Sequence, residues 1–231
     1  MRFTPGWLRD PLLDDATFDG RMPDLLRLAS RLFWTPVAVA RRMGSLFALH
    51  GAQRVLDVGS GPGKACLVAA AAAPAIRFVG VEQRSGLVAI AQGLAASAAL
   101  GNVEFRCADA TRTSLDSFDG AYLFNPFAEN LFSEAKRFDH SVELSERRAI
   151  GDLLQMEGSL ARARPGFLVV TYHGFGGRFS DDYDTIHTEA AGTDVLRVWR
   201  KADRPARRGR YLVEVEERIV AEVVKSREKS S

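Results

Sequence analysis

Cysteine is scarce in this sequence, and its scarcity excludes several kinds of site and fold. The 231 residues contain two cysteines, Cys66 and Cys107, which are too few for a disulfide framework and have no metal-ligand spacing. Each lies in an apolar stretch, where a buried thiol is the ordinary interpretation. The sequence therefore predicts neither a disulfide-stabilised secreted domain nor a metal site.

An excess of charge of one sign and a long apolar run are also missing. With 31 Lys and Arg against 29 Asp and Glu, the formal net charge is +2. The chain as a whole therefore lacks the excess of positive charge that is typical of nucleic-acid-binding proteins. The most apolar run, Ala65–Ile76, is broken by Pro74 and is shorter than the roughly 20 residues that cross a bilayer. The first residues lack the apolar core of a secretion signal. We therefore expect a cytoplasmic protein that binds neither membrane nor nucleic acid.

Short apolar runs alternate with helical segments from Arg54 onward, and 46% of the residues are hydrophobic, enough for a proper core. Continuously apolar strands separated by helices are typical of a parallel sheet that is covered on both faces. The sequence therefore predicts a doubly wound α/β fold. The expected strands are 54–58, 76–81, 103–107, 121–124 and 167–172, and the expected helices between them are 64–73, 86–100 and 145–163.

The C-terminal part departs from this alternation. Val195–Trp199 and Tyr211–Val220 are predicted as two strands of an antiparallel hairpin at one edge of the sheet. The segment Arg200–Arg210 between them is the most basic in the chain. We interpret it as a solvated loop, because no aromatic residues alternate with its charges, with an acidic protein tail or RNA as the alternative partner.

Helical spacing of apolar residues also appears before the first strand. A short helix carrying Leu25, Leu28 and Leu32 is expected to end near Trp34. The next helix is predicted to begin with Thr35 as its N-cap and Pro36 at its first position. The apolar sides are expected to consist of Val37, Ala40, Met43 and Phe47 in this helix, and of Ile150, Leu153, Leu154 and Leu160 in the helix 145–163.

A glycine-rich turn follows the first predicted strand, with Asp57 before Gly59, Gly61 and Gly63. Glycines allow a sharp turn and a close approach of a ligand to the backbone, beside the free amides of a helix N-terminus. A P-loop is excluded because Lys64 is followed by alanine, and the dinucleotide pattern GxGxxG would need glycine at that position. A tight turn without a ligand remains the alternative.

Two further acids follow the next two strands. Glu82 ends the second strand, where a carboxylate can accept hydrogen bonds from both hydroxyls of a ribose. Asp109 and Ala110 follow the third strand, where an adenine would lie. Asp57 suits a ligand ammonium better than a pyrophosphate. These groups match S-adenosylmethionine, which carries an ammonium, a sulfonium, a ribose and an adenine and no phosphate.

Four segments in this order, VLDVGSGPG, FVGVEQ, FRCADAT and YLFNPF, resemble the successive motifs of class I S-adenosylmethionine-dependent methyltransferases. The resemblance covers about residues 35–220. It implies a mostly parallel seven-strand sheet that ends in an antiparallel hairpin, and S-adenosylmethionine as cofactor. It also implies that Asp57 and the three glycines hold the methionine end, Glu82 the ribose, and Asp109 with Ala110 the adenine.

The resemblance extends to the end of the fourth strand. Asn125, Pro126 and Phe127 are similar to the [DN]PP[YF] motif of enzymes that methylate nitrogen in adenine or glutamine side chains. In those enzymes the polar side chain orients an amine and the aromatic ring packs on the substrate. The second proline is missing here, so the acceptor geometry is open. We predict that Asn125 orients the acceptor and Phe127 shapes its pocket; a strand that merely ends in a turn is the alternative.

Two aromatic positions and one histidine have open roles. Tyr172 ends the fifth predicted strand and His173 follows it; nothing in the sequence pairs the histidine with a partner, so a simple loop position is the expected interpretation. Trp34 precedes a helix that resembles an element folded over the cofactor in several protein-lysine methyltransferases. A core-packing role explains Trp34 equally well.

The sequence predicts three parts and one activity. Residues 1–52 form an arm and helices over the active site, 53–222 the cofactor-binding domain, and 223–231 a disordered tail. The expected activity is methyl transfer from S-adenosylmethionine to a nitrogen of a protein side chain or small-molecule amine. An oxygen or carbon acceptor, a non-catalytic cofactor-binding module and a nicotinamide-dependent oxidoreductase are the alternatives.

Overall fold

A seven-strand sheet forms the centre of the molecule. The computed structural model describes residues 6–205 and 211–213. The strand order is β3-β2-β1-β4-β5-β8-β7, and β8 is antiparallel to both of its neighbours while the first five strands are parallel. The strands are β1 Arg54–Val58, β2 Arg77–Glu82, β3 Val103–Cys107, β4 Gly120–Leu123, β5 Leu168–Tyr172, β6 Arg178–Ser180, β7 Tyr183–Ala191, β8 Asp194–Lys201 and β9 Tyr211–Val213.

Helices cover both faces of this sheet. They are α1 Asp15–Asp19, α2 Asp24–Phe33, α3 Val37–Leu49, α4 Lys64–Ala72, α5 Ser85–Ser97 and α6 Glu146–Arg162. The doubly wound fold with a terminal antiparallel pair is therefore confirmed.

Alternate residues of each central strand enter opposite cores, as the two-residue period of a strand requires. In β1, Val55 packs with α3, α4 and α5, whereas Leu56 and Val58 pack on the side of α6. Val55 lies opposite Phe78 of β2 and Gly120 of β4 in the parallel register. Both faces of the strand are apolar and buried, which explains why its sequence shows no alternation.

The partner of the terminal strand differs from the prediction. β8 pairs with β7, whereas β9 pairs with β6 in a separate two-stranded sheet, and residues 214–220 of the predicted strand lie outside the described part. The strand β7 escaped prediction because it lies at the sheet edge and most of its side chains are exposed or half-buried. Its sequence, YDTIHTEAA, therefore lacks an apolar run. Arg200 and Lys201 belong to β8 and not to a loop, and the predicted tail 223–231 also lies outside the described residues.

The N-terminal helices lie where their spacing predicts, but the predicted cap is wrong. α3 begins at Val37, with Pro36 in the N-cap position in extended conformation. The backbone N–H of Val37 donates to Asp15 Oδ1 at 2.8 Å, so a carboxylate of α1 caps α3. Thr35 is buried and shares a hydrogen bond of 2.9 Å with the Tyr122 hydroxyl, which takes its side chain away from the helix end.

Two predicted apolar faces also need correction. The face predicted for α3 is buried, but Leu25, Leu28 and Leu32 of α2 are 63%, 79% and 57% exposed. In α6, Ile150 and Leu154 face solvent, because the buried residues of that helix are Ala149, Met156 and Leu160, with Leu153 partly buried beside them. Among the described residues, no helix is long and apolar enough to cross a membrane.

Candidate active site

A cavity of about 680 Å³ opens at the carboxyl ends of the parallel strands. It lies where the strand order reverses between β1 and β4, the place at which doubly wound sheets bind ligands. Its volume is within the range of pockets that enclose a small molecule. The glycine turn, the ends of β2, β4 and β5, residues 31–34 and the segment after β4 contribute to its lining.

The glycine turn contacts the N-terminal part of the chain directly. Gly61 has φ +53°, and a Cβ placed there would lie 2.5 Å from Trp34 Nε1. Gly63 has φ +84°, and a Cβ there would lie 2.6 Å from the ring of Phe105. Side chains are therefore excluded twice at each position, by the backbone conformation and by the neighbour. Gly59 and Gly61 line the cavity, and Gly63 is the N-cap of α4.

Asp57 lies beneath the turn and not on the cavity surface. Its carboxylate is 4% exposed and accepts a hydrogen bond from Cys66 Sγ at 3.3 Å. Burial raises the pKa of Asp57 to about 7, because the charged form loses its hydration. Neither Asp57 nor Gly63 is among the residues that line the cavity, so their predicted contact with a methionine end stays a prediction.

Glu82 lines the cavity at the end of β2 and holds the turn in place. Its carboxylate accepts from the backbone N–H of Gly61 at 3.1 Å and from that of Arg84 at 2.9 Å. Burial raises the pKa of Glu82, and these hydrogen bonds act in the opposite direction. Its predicted contact with a ribose stays a prediction.

Asp109 and Ala110 line the same cavity beyond β3. Asp109 Oδ1 accepts from the backbone N–H of Thr111 at 3.0 Å and from its hydroxyl at 2.7 Å, so one carboxylate oxygen is already used. The other oxygen lies 3.8 Å from the Arg148 guanidinium. Glu82 and Asp109 thus reach one cavity from neighbouring strands, as their positions at strand ends predict.

Asn125, Pro126 and Phe127 form the wall at the end of β4. Asn125 has φ +44°, a left-handed conformation that asparagine tolerates better than most residues. Its backbone N–H donates to the Gly174 carbonyl at 2.9 Å. The Asn125 Oδ1 atom is buried and has no hydrogen-bond partner among the residues that the structure describes. A Cβ on Gly59 would lie 3.5 Å from Pro126 Cβ, so this wall adjoins the glycine turn.

Comparison with known proteins agrees with this geometry. Residues 55–140 match the family model described as "Methyltransferase domain". This stretch contains the glycine turn, Glu82, Asp109 and the Asn125 wall. Residues 55–140 of the chain therefore form a methyltransferase domain of the kind that uses S-adenosylmethionine. No curated protein sequence matches it significantly.

Three solved structures share the fold of this chain. An RNA methyltransferase from Salinibacter ruber in complex with S-adenosyl-L-homocysteine is 23% identical, covers 74% of this chain and 95% of its own, and has a TM-score of 0.52. A methyltransferase from Geobacter sulfurreducens is 18% identical over 80% and 95%, with a TM-score of 0.51. TrmN from Thermus thermophilus is 19% identical over 72% of this chain and 49% of its own, with a TM-score of 0.52.

The residues present fit S-adenosylmethionine. Trp34 and Phe105 fill the space that side chains at Gly61 and Gly63 would need, and Gly59 and Gly61 still line the cavity. Glu82 and Asp109 offer acceptors for hydroxyl and amine groups. Lys64, the side chain that a phosphate would require, is engaged elsewhere.

Lys64 links the methyltransferase domain to the N-terminal helices. Its side chain is 1% exposed, and its Nζ lies 2.7 Å from Asp15 Oδ1 and 2.7 Å from Asp19 Oδ1. It also donates to Ser30 Oγ at 3.0 Å. One cation thus joins α1 and α2 to the first residue after the glycine turn. The sequence gives no signal for this contact, because the acids lie far upstream in an irregular region.

Arg84 fixes the segment after β4, here called the roof (residues 128–140). Its guanidinium donates to both carboxylate oxygens of Glu129 at 3.0 Å and to Asp139 Oδ1 at 2.9 Å. The ring of Phe138 in the roof packs against Phe33 and Trp34 with centroids 6.1 and 5.9 Å apart. The roof and the N-terminal residues therefore meet across the cavity.

His173 has a partner that the sequence does not reveal. Its Nδ1 lies 2.7 Å from Oδ2 of Asp194, the first residue of β8. Its ring packs against Phe124 with centroids 5.5 Å apart, and the residue lines the cavity next to the Asn125 wall. Tyr172 is buried, and its hydroxyl accepts from the Thr193 backbone N–H at 3.3 Å. His173 therefore lies in the loop after β5 as predicted, but it has a partner there, Asp194.

Proposed function

We propose that this methyltransferase transfers the methyl group to a nitrogen atom of an amine, carried by a protein side chain or a small molecule. The observation that carries this proposal is the buried Asn125 Oδ1 atom with no hydrogen-bond partner in the described structure. A buried polar atom without a partner costs free energy, so a ligand that donates a hydrogen bond there is favoured. An amine N–H is such a donor.

The cofactor residues are part of the same proposal. Gly59 and Gly61 would face the methionine end, Glu82 the ribose, and Asp109 with Ala110 the adenine. Asp57 and Gly63 would support the turn from below, with Asp57 as counter-charge for the ammonium. The cytoplasmic location and the division of the chain at residues 52 and 222 are proposed with it.

Positioning accounts for most of the chemistry that the chain itself must provide. S-adenosylmethionine supplies a methyl group on a positively charged sulfur. The sulfur leaves as a neutral thioether, so it needs no acid catalyst. Asn125 would hold the acceptor nitrogen with its lone pair directed at that methyl group, and Phe127 would close the pocket against water. Correct orientation of two reactants is itself a large part of a rate enhancement.

The first measurement is calorimetric titration with S-adenosylhomocysteine, and failure to bind would contradict the cofactor assignment. Label from methyl-labelled S-adenosylmethionine is then followed into dialysed lysate protein, an amine pool and total RNA. The proposal expects base-stable methyl groups on amine nitrogen. Label confined to RNA, or to base-labile methyl esters, would contradict it.

The variant Asn125→Gly tests the role of the Asn125 side chain directly. Glycine suits the positive φ, so the variant removes the side chain without straining the backbone. We expect the affinity for S-adenosylhomocysteine to stay within about twofold of the wild type. Methyl transfer should fall by roughly 100-fold, because a misplaced reactant lowers the rate by about that factor. Asn125→Asp, which keeps an acceptor oxygen, should retain more activity. Unchanged transfer by the glycine variant would refute the role of Asn125.

A further inference from the structure

The helix α2 has an apolar stripe on its outer side. Leu25, Leu28 and Leu32, here called the leucine stripe, are each more than half exposed to solvent. At 3.6 residues per turn their side chains fall within about 60° of one another around the helix axis, so they share one face. Contiguous apolar surface of this kind on a soluble domain marks an interaction site more often than a single exposed leucine does.

The other side of α2 is fixed to the body of the protein. Leu26 and Ser30 are buried, and the Ser30 hydroxyl accepts a hydrogen bond from Lys64 Nζ at 3.0 Å. Phe33, the last residue of α2, packs against Phe132 of the roof with ring centroids 5.9 Å apart. Because these contacts fix the rotation of the helix, the leucine stripe stays directed outward.

The leucine stripe reaches the cavity at one end. Leu32 and its neighbour Arg31 line the cavity, whereas Leu25 and Leu28 lie outside its lining. Lys136 of the roof lines the cavity as well. Since Arg31 and Lys136 are also exposed, they lie at its rim. Whatever covers the leucine stripe therefore lies beside the cavity.

Positive charge accompanies the leucine stripe. In the part of the chain that the structure describes, the side chains of Arg31 and Lys136 have neither a hydrogen bond nor an ion pair. Arg27 pairs with Asp24, the one acid of α2, at 3.0 Å, so that acid is already neutralised. Leucines on one side and basic residues beside them are typical of helices that lie in the surface of an anionic bilayer.

We propose that the leucine stripe inserts into the surface of a membrane that contains anionic lipids, with Arg31 and Lys136 in contact with the lipid phosphates. Long basic side chains reach the headgroups while leucines enter the acyl boundary to a depth of about 5–10 Å. The cavity then lies at the lipid surface. Such docking does not depend on which atom accepts the methyl group. The expectation from the sequence that the chain binds no membrane rested on the lack of a crossing segment, which an interfacial helix does not need.

A lipid surface fits the leucine stripe better than a second copy of the chain. The three leucines expose roughly 350 Å² of apolar surface, whereas each partner of a stable dimer buries roughly 800 Å². A second copy packed on Leu32 would also cover the cavity that this residue lines. The unpaired charges of Arg31 and Lys136 complement lipid phosphates.

Flotation with lipid vesicles tests the docking. The wild-type chain should bind vesicles with about 30% phosphatidylglycerol in phosphatidylcholine at least tenfold more tightly than pure phosphatidylcholine vesicles, since each basic residue at an anionic surface contributes about fivefold. The binding should weaken when the salt concentration rises from about 0.1 to about 0.5 M. Arg31→Gln combined with Lys136→Gln should remove most of the preference for anionic vesicles.

A pair of matched variants tests the leucines. Leu25→Gln combined with Leu28→Gln should weaken vesicle binding at least about tenfold, because two apolar side chains no longer leave water. The control is Ile150→Gln combined with Leu154→Gln, an equally exposed apolar pair on α6, which should bind like the wild type. All four residues lie outside the cavity lining, so the affinity for S-adenosylhomocysteine should stay within about twofold in both variants.

A fluorescent probe reports insertion without any change in affinity. Cys107 is the exposed cysteine and Cys66 is buried, so Cys107→Ser gives a background for labelling a single introduced thiol. A nitrobenzoxadiazole group attached through Leu28→Cys should shift its emission to the blue when phosphatidylglycerol vesicles are added. The same group attached through Leu154→Cys should keep its emission.

Three results would overturn the proposal. The first is absence of wild-type binding to the anionic vesicles, or equal binding by the Leu25 and Leu28 double variant. The second is a probe at position 28 that responds no more than the probe at position 154. The third is a dimer of the wild type in analytical ultracentrifugation that the same double variant abolishes, which would assign the leucine stripe to a second copy.

Discussion

Replacement of Lys64 by methionine is the most direct test of how the N-terminal helices are held. Methionine fills nearly the same volume but removes the cation that Asp15 and Asp19 share at 2.7 Å. The Asp19 side chain is 10% exposed and would stay buried without a counter-charge, whereas Asp15 is half-exposed and reaches water. Loss of one partner from a buried ion pair costs about 3–5 kcal/mol, and the exposure of Asp15 places this case near 3 kcal/mol.

Urea unfolding measures this loss. For a chain of this size the dependence of the unfolding free energy on urea is roughly 2–3 kcal/mol per molar, so the midpoint should fall by about 1 M. Affinity for S-adenosylhomocysteine should fall as well, because the same helices place Trp34 against Gly61. Arg27→Met is the matched control, since its pair with Asp24 is largely exposed and should contribute less than about 1 kcal/mol.

A second substitution shows whether the unpaired carboxylate of Asp19 causes the loss of stability in Lys64→Met. Asp19→Leu in the Lys64→Met background removes the buried charge, and replacing a buried pair by apolar residues is often neutral or stabilising. The double variant should therefore recover most of the lost stability. A single variant as stable as the wild type, or a double variant less stable than the single one, would refute this account of Lys64.

Two further predictions concern the glycine turn and the acid beneath it. The pKa of Asp57 is raised to about 7, so the folded chain binds a proton there that an unfolded aspartate releases near pH 4. Asp57 therefore lowers the stability of the folded chain as pH rises from about 4 to about 7. Its carboxylate is mostly charged, and can act as counter-charge for an ammonium, only above about pH 7. S-adenosylhomocysteine affinity should rise roughly tenfold from pH 6 to pH 8 and release a proton, and both effects should vanish in Asp57→Asn; a flat calorimetric profile in the wild type would exclude the charge interaction. Gly61→Ala places a methyl group against Trp34 at φ +53°, which should cost roughly 1–2 kcal/mol from conformation alone and weaken cofactor binding. Gly86→Ala, with open space around it in α5, should be neutral or stabilising in the same thermal and calorimetric assays, and equal behaviour of the two variants would contradict the geometry.

The parts of the fold that were predictable carry a local signal. The strands β1 and β3 were predicted at their observed bounds because both are short, mostly apolar runs between turn signals. β7 was missed because an edge strand with exposed side chains has no such run. Thr35 was assigned to a helix cap by its residue type, but its hydroxyl finds Tyr122, which is remote in sequence. Capping propensity describes the preference of threonine in isolation. In the folded chain, the tertiary hydrogen bond with Tyr122 determines where the Thr35 hydroxyl lies.

The candidate site also contains residues that were predictable from the sequence and residues that were not. Glu82, Asp109 and Asn125 were predictable because each follows an apolar strand, and the carboxyl ends of parallel strands meet at one edge. The pairs of Lys64 with Asp19, Arg84 with Glu129, and His173 with Asp194 join distant elements and leave no periodicity in the sequence. They become visible only when the chain is folded.

The position of Arg84 has a consequence for the order of binding. One guanidinium lies between Glu82, 4.0 Å away, and the roof carboxylates of Glu129 and Asp139. A ligand hydroxyl that changes the hydrogen bonding of Glu82 also changes how strongly Arg84 holds the roof. Since coupling between two sites is reciprocal, an acceptor that orders the roof must tighten or loosen the cofactor by the same factor as the cofactor changes the acceptor. We therefore expect thermodynamic coupling between the two substrates, with Arg84 as its physical link.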